Sequence, residues 1–213
     1  MLLNFCDASG TCASAVALIG GNGTGKTLLS QFVRACYTAM LRDESLAKRP
    51  VFDADAVGFV EFEGAKGVTS VRIEAGRATV TGERYEVSID AGMVNGGMLL
   101  YDAQLLRMHM PADATNIVAI RNRFVLKDLY IGRVRNSVIW IDDFDLGLDA
   151  LNAGDFWRCV WRRSREFDNQ LVCLALRSEA FVGLSSEALH VLPPTSVRVV
   201  NELHADVMRL RQT

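Results

Sequence analysis

Ala15-Val16-Ala17-Leu18-Ile19-Gly20-Gly21-Asn22-Gly23-Thr24-Gly25-Lys26-Thr27 is the stretch that decides the fold. Five apolar residues make a strand-length run that stops at glycine. The eight residues Gly20 to Thr27 then fit the phosphate-loop pattern G-x-x-x-x-G-K-[ST] in full. Behind them, Leu28, Leu29, Phe32, Val33, Cys36, Tyr37 and Met40 recur at three and four, which predicts a helix from Lys26 to about Met40. A strand delivered through glycines into a helix start has a physical use. Glycines let backbone amides turn toward an anion, and the unpaired N–H groups and positive dipole end of the helix face the same anion. In that arrangement Lys26 reaches the β and γ phosphates of a nucleotide, and the Thr27 hydroxyl ligates Mg2+.

Such a site needs a second half, an apolar strand that ends in a carboxylate. Val138-Ile139-Trp140-Ile141-Asp142 supplies it, which assigns the metal shell to Asp142 together with Thr27. Asp143 stands one place further, where a carboxylate orients and deprotonates an attacking water, or else caps the turn beside the strand. Five acids (Asp142, Asp143, Asp145, Asp149 and Asp155) and no base lie from 142 to 155. That much negative charge beside a triphosphate requires Mg2+, or requires Asp145, Asp149 and Asp155 to point away to solvent or to a partner.

Outside these two segments the texture changes. Val57 to Phe62, Val68 to Glu74, Ala78 to Gly82 and Tyr85 to Ile89 alternate apolar with polar and are separated by glycine-containing turns. This predicts an antiparallel β lobe over residues 55–90, inserted in the α/β core. Residues 97–135 read as a helical segment, with one stretch over Gly97 to Met110 and another over Asn116 to Arg135. Within residues 107–135, six basic residues (Arg107, Arg121, Arg123, Lys127, Arg133 and Arg135) face only Asp113 and Asp128, a local charge of +4. That stretch is either a solvated face or a contact for DNA, RNA or an acidic protein. A helix over Ala153 to Phe167, a buried strand over Leu171 to Leu176, a short helix over Ser178 to Leu184 and a strand over Ser196 to Glu202 complete the expectation. Trp157 and Trp161, four apart, form one apolar face, either core or subunit interface.

The chain of 213 residues is 50% hydrophobic and 23% charged with four prolines, which excludes a disordered chain, a collagen-like repeat and a coiled-coil rod. A net charge of -2 gives no whole-molecule pull toward nucleic acid or anionic membrane. Five cysteines, odd in number and without a C-x-x-C pair, argue against a disulfide framework or a cysteine-rich zinc site. His109, His190 and His204 have no metal-ligand spacing. The first residues, Met1 to Asp7, have no basic n-region and do not read as a signal peptide, and no apolar run is long enough for a bilayer. A single cytoplasmic domain over 1–213 is the expectation.

In its phosphate loop with asparagine third, and in Val138 to Asp149 with Leu148-Asp149 after the acid-tipped strand, the sequence resembles the ABC-type ATPases of the RecF, SMC and Rad50 branch. The resemblance implies an α/β fold with a P-loop NTPase core, ATP and Mg2+ as cofactors, and the nucleotide held by Gly20, Gly21, Asn22, Gly23, Thr24, Gly25, Lys26 and Thr27. It implies Asp142 as magnesium-shell aspartate, Asp143 in the catalytic glutamate position alongside Lys26, and Asp149 as the D-loop aspartate. It also implies head-to-tail dimerisation, or binding of another subunit, when ATP is bound. Three departures stand out. Arg177-Ser178 follows the strand where the family has a histidine, so that a guanidinium contacts the γ-phosphate if anything does. The serine-glycine-glycine signature is absent, with Ala114-Thr115-Asn116 about in its place. Gln104 is the nearest candidate for the lid glutamine. Three functions fit: a slowly hydrolysing ATP switch or accessory ATPase, a nucleotide or nucleoside kinase using Arg121, Arg123 or Arg177 as lid arginines, and a nucleotide binder without turnover. The Leu148-Asp149 pair argues against the kinase, and ADP release that depends on an added phosphate acceptor separates it from the other two.

Overall fold

In the computed structural model, residues 3, 5, 12–41, 55–64, 66–83, 87–90, 92–102, 131–184 and 188–192 are described. The central sheet has five strands: β1 (Ala15–Ile19), β7 (Met98–Asp102), β9 (Val138–Asp142), β10 (Gln170–Ala175) and β11 (Leu189–Val191), in the spatial order β11-β1-β10-β9-β7. Every pairing in it is parallel. Parallel sheets are stable when covered on both faces, and this one is.

Alternate residues of each strand serve the two layers. On one face, Ala15, Ala17, Ile139, Ile141, Leu171 and Cys173 join Phe156, Trp157 and Val160 of the helix α2 (Ala150–Glu166). On the other, Val16, Leu18, Trp140, Val172 and Leu174 join Val33, Cys36 and Met40 of α1 (Lys26–Leu41). Phe62, Val71 and Ile73 belong to this second cluster and come from an antiparallel sheet of β2 (Gly58–Gly64), β3 (Gly67–Glu74) and β4 (Arg77–Gly82). The insertion thus docks on the helix that leaves the glycine-rich loop. Gly58 makes that approach possible, because a Cβ there would stand 2.7 Å from Cζ of Phe32 on α1.

The mixed α/β character, with a parallel central sheet and a separate antiparallel sheet, agrees with the sequence reading. Several details differ. Residues 88–90 form β5, which leaves the meander and pairs with β6 (Met93–Asn95); β6 in turn pairs with the two-residue β8 (Val134–Arg135), making a second small sheet. The expected helix over Gly97 to Met110 is corrected at its start, where Met98–Asp102 is the edge strand β7. The expected helix ending at Arg135 is corrected at its end, where a 3-10 turn, Ile131–Arg133, runs into β8. Residues 103–130, which include Gln104, His109 and the basic residues Arg107, Arg121, Arg123 and Lys127, lie outside the described residues, as does the strand expected over Ser196 to Glu202. Ser178 to Leu184 makes successive turns and no helix, closed by bonds from Phe181 N to Ser178 O and from Leu184 N to Phe181 O. Among the described residues, no helix is long and apolar enough to cross a membrane.

The two tryptophans of α2 belong to the core. Trp157 is fully buried and stacks on Trp161 with ring centroids 5.3 Å apart. Buried thiols take the same role. Burial pushes the Cys36 thiol up to about 12 and the Cys173 thiol well above the ordinary value. A thiol whose pKa is raised by folding stays protonated in the native state while the unfolded chain ionises near 9. Stability therefore declines as pH rises through about 9. In native protein at pH 8, Cys36 and Cys173 are expected to resist alkylation while the exposed Cys12 reacts. Peptide mapping after a short iodoacetamide pulse reads this, and rapid labelling of Cys173 would contradict the packing described here.

Candidate nucleotide site

β1 ends at Ile19 and α1 begins at Lys26, so the six residues 20–25 form the whole connection. Its backbone has no free choice. Gly23 and Gly25 sit at φ +79° and +82°, where a side chain is strained. Gly20 has ordinary φ but no room: a Cβ there would meet Thr24 Oγ1 at 2.4 Å and Leu192 Cβ at 3.3 Å. The space outside Gly21 and Gly23 is open, with nothing within 4 Å of a Cβ. Thr24 closes the loop by donating from both its N–H and its hydroxyl to Gly21 O, at 3.4 and 3.0 Å.

Lys26 is 6% exposed, and its ammonium folds back over the loop to donate to Gly20 O at 2.5 Å and Gly21 O at 2.9 Å. Both partners are neutral carbonyls. Burying an ammonium against dipoles alone leaves most of its charge uncompensated, and an anion seated in the open side of the loop would compensate it. The first intraloop-to-helix bond, Leu29 N to Gly25 O at 2.8 Å, starts α1, and the N–H groups ahead of it have no carbonyl one turn back to use. Thr27 is exposed on that first turn.

The loop lies at a branch in the sheet. After β1 the chain turns to the α1 face, whereas after β9 and β10 it turns to the α2 face, where Phe144, Ala180 and Phe181 are buried. β1 and β10 are neighbours in the sheet, and Gly20 N donates across to Ala175 O at 3.1 Å. Crevices at such a switch point, outside the carboxyl ends of the strands, are where open α/β sheets bind ligands. β9 is the next strand, so the tips bearing Gly20 and Asp142 are separated by two strand spacings, about 10 Å.

Asp142 ends β9 as a buried carboxylate that accepts Asp143 N at 3.0 Å. The backbone of β7 pairs with β9 in register up to Asp102 and Asp142, a pairing that the sequence reading missed because the strand itself was read as helix. Asp143 is half-buried and takes a left-handed φ of +50°, a conformation aspartate tolerates at a cost of about 1 kcal/mol. Asp149 is exposed and caps α2, accepting Asn152 N at 2.9 Å and Asn152 Nδ2 at 2.6 Å. Those bonds, the backbone one first, hold its carboxyl below the usual carboxylate range.

Asp145, one of the acids that either share the site with Mg2+ or point away from it, is turned to the protein: it is buried, and its carboxylate accepts Leu176 N at 3.0 Å, Arg177 N at 3.1 Å and Arg177 Nε at 3.3 Å. Arg177 Nη2 donates on to Leu148 O at 2.6 Å. In this structure, then, the guanidinium expected near a γ-phosphate is bonded to the turn that follows β9. A signal for this was present in the sequence, an aspartate three places after the acid that tips one strand and an arginine two places past the end of the neighbouring one, but nothing in the spacing pairs them.

The residues that could hold a cation beside the loop are Thr27, exposed on the first turn of α1, and Asp142, buried at the end of β9. Mg2+ is held by one or two carboxylates, a hydroxyl and phosphate oxygens, and keeps several waters. It therefore needs no cluster of three protein acids, and among the described residues no group of three or more His, Cys, Asp or Glu is placed to hold an ion. A scan against protein-family models and a search of curated proteins find no match to this chain.

Proposed function

We propose that this chain is an ATP-binding protein with a P-loop NTPase core of the ABC type, a slowly hydrolysing switch or accessory ATPase subunit that dimerises or engages a partner protein when ATP is bound. The observation that supports it above others is Lys26: a buried ammonium held by two loop carbonyls, at the one branch of the sheet where β1 and β10 diverge. Gly20 to Gly25 cradle the phosphates, the first turn of α1 offers N–H donors to them, and Lys26 takes the β and γ oxygens. Thr27 and Asp142 hold the Mg2+ shell, and the ion supplies charge neutralisation of the phosphates. Asp143 orients water at the far side of the γ-phosphate.

A second reading, ATP binding without turnover, is favoured by one observation. The Arg177 guanidinium is engaged by Asp145 and by the carbonyl of Leu148, and not held out for a γ-phosphate. Both readings share the binding step, and calorimetry on the full chain tests it. Mg2+-ATP is expected to bind with micromolar affinity, and Asp142→Asn is expected to remove the gain that Mg2+ gives over EDTA. No heat of binding at millimolar ATP, with or without Mg2+, would sink both readings. Single-turnover hydrolysis by the loaded protein then separates them.

A further inference from the structure

The turn that carries the acids after β9 is attached to the exit of β10 at both of its ends. Phe144 N donates to Leu174 O at 2.8 Å, immediately after Asp143. Asp145 accepts the two successive backbone N–H groups of Leu176 and Arg177, one on each carboxylate oxygen. Arg177 returns the contact, with Nε on Asp145 Oδ2 and Nη2 on the carbonyl of Leu148, next to the capping residue Asp149. The turn is also bonded within itself, from Leu146 N to Asp143 O and from Leu148 N to Asp145 O. The side chain of Asp145 is 2% exposed and that of Arg177 is 45% exposed, so one end of the pair is fixed in the protein and the other is accessible to change.

We infer that Asp145 and Arg177 form a positioning clip that holds the Asp142–Asp143 acid pair at the carboxyl edge of the sheet, and that Arg177 works through this clip and not as a phosphate ligand. The inference rests on the ATP-binding reading for its purpose, though not for its geometry. Its logic is electrostatic. A buried carboxylate that accepts two backbone amides is an anchor, and the guanidinium both balances its charge and spans to the other end of the turn. Lysine cannot do both, because a single ammonium lacks the planar fork that reaches two acceptors in different directions. With the clip in place, Asp143 is kept in its left-handed conformation and Asp142 keeps its aim toward the Mg2+ shell. Without it, the phosphate loop is untouched but the acids lose their fixed place.

The test compares the full-length wild type with Arg177→Ala, Arg177→Lys and Asp145→Asn, by ATP affinity in Mg2+ and in EDTA and by amide hydrogen exchange of the nucleotide-free proteins. Arg177→Ala is expected to speed exchange at Leu176 and Arg177 about tenfold or more and to lower the Mg2+-dependent gain in ATP affinity about tenfold. Its affinity in EDTA should stay within threefold of wild type. Arg177→Lys should recover part of the Mg2+ gain. Asp145→Asn should resemble Arg177→Ala, and if it fails to fold, the half-exposed Arg177 variants carry the decision. An affinity in EDTA reduced tenfold by Arg177→Ala would make Arg177 a phosphate ligand and overturn the inference. So would unchanged exchange and an unchanged Mg2+ gain in variants of a wild type that binds Mg2+-ATP. A wild type that binds no ATP in either condition would remove the function reading itself, a result distinct from both.

Discussion

Lys26→Ala is expected to lose ATP while keeping its fold. The ammonium is buried over the loop and donates to Gly20 O and Gly21 O, and among the described residues no carboxylate pairs with it. Removing it costs the nucleotide a charge-assisted partner for its terminal phosphates. Truncating one member of a buried, hydrogen-bonded charge pair costs about 2–5 kcal/mol, which is roughly thirtyfold to a few thousandfold in affinity. The empty protein suffers less, because what it loses there is two hydrogen bonds to neutral carbonyls. Thermal unfolding shows the contrast directly. A ligand at one hundred times its dissociation constant stabilises the native state by about 2.7 kcal/mol, roughly 5–10 °C in a domain of this size. That shift should appear in the wild type with Mg2+-ATP and vanish in Lys26→Ala, while the two melting points without nucleotide stay within a few degrees. An equal shift in both proteins would place the nucleotide elsewhere.

The parts of this site that the sequence makes legible are those whose chemistry is local. A phosphate loop needs its glycines, its lysine and its flanking strand and helix within one run of residues, and Ala15 to Met40 contains all of it. The observed β1 and α1 begin where the pattern places them. The acid-tipped strand is equally local, with Val138–Asp142 observed as β9. The meander is legible because one face of β2 and β3 is wet, and alternation survives in the burial of Gly58–Gly64 and most of Gly67–Glu74, while Arg77–Gly82 is exposed on both faces except at Ala78. What is not legible is pairing. Met98-Leu99-Leu100-Tyr101 is a short apolar run with no period, and such a run fits a buried parallel strand as well as a helix. Only the partner β9 decides, and with it comes Asp102 beside Asp142. Leu189–Val191 joins β1 as an edge strand only three residues long, too short to announce itself. Asp145 is the clearest case. It lies in a stretch with five acids and no base, and nothing in that stretch points to its partners, which are 31 and 32 residues away.

Trp157→Ala is expected to destabilise the fold more than any substitution on the same helix that faces water, and to reach the acid turn while doing so. Trp157 has no exposure and is the hub of an aromatic cluster, with ring centroids 5.0 Å from Phe181, 5.3 Å from Trp161 and 6.3 Å from Phe144. Its indole N–H donates to Val182 O at 3.3 Å, so the truncation also orphans a carbonyl. Loss of a buried tryptophan side chain costs about 3–5 kcal/mol, the transfer of its rings plus the cavity left behind. Against the 5–15 kcal/mol that holds a typical domain together, this is a large share, and it lowers the melting point by roughly 6–20 °C. Leu151→Ala, six residues earlier on α2, is the control. It is as apolar as a core residue but 73% exposed, and its replacement should stay within about 0.5 kcal/mol. The functional consequence travels through Phe144, which follows Asp143 and stacks on Phe156 at 5.1 Å with Trp157 at its edge. With Trp157 gone, Phe144 loses one wall of its pocket, and the acid turn depends more heavily on the clip at Asp145 and Arg177. Chemical denaturation gives the stability change, and ATP affinity at low temperature, where the variant is still folded, should show a reduced Mg2+ gain with the affinity in EDTA retained. A Trp157→Ala protein as stable as Leu151→Ala would mean that α2 is not packed on the sheet through this cluster.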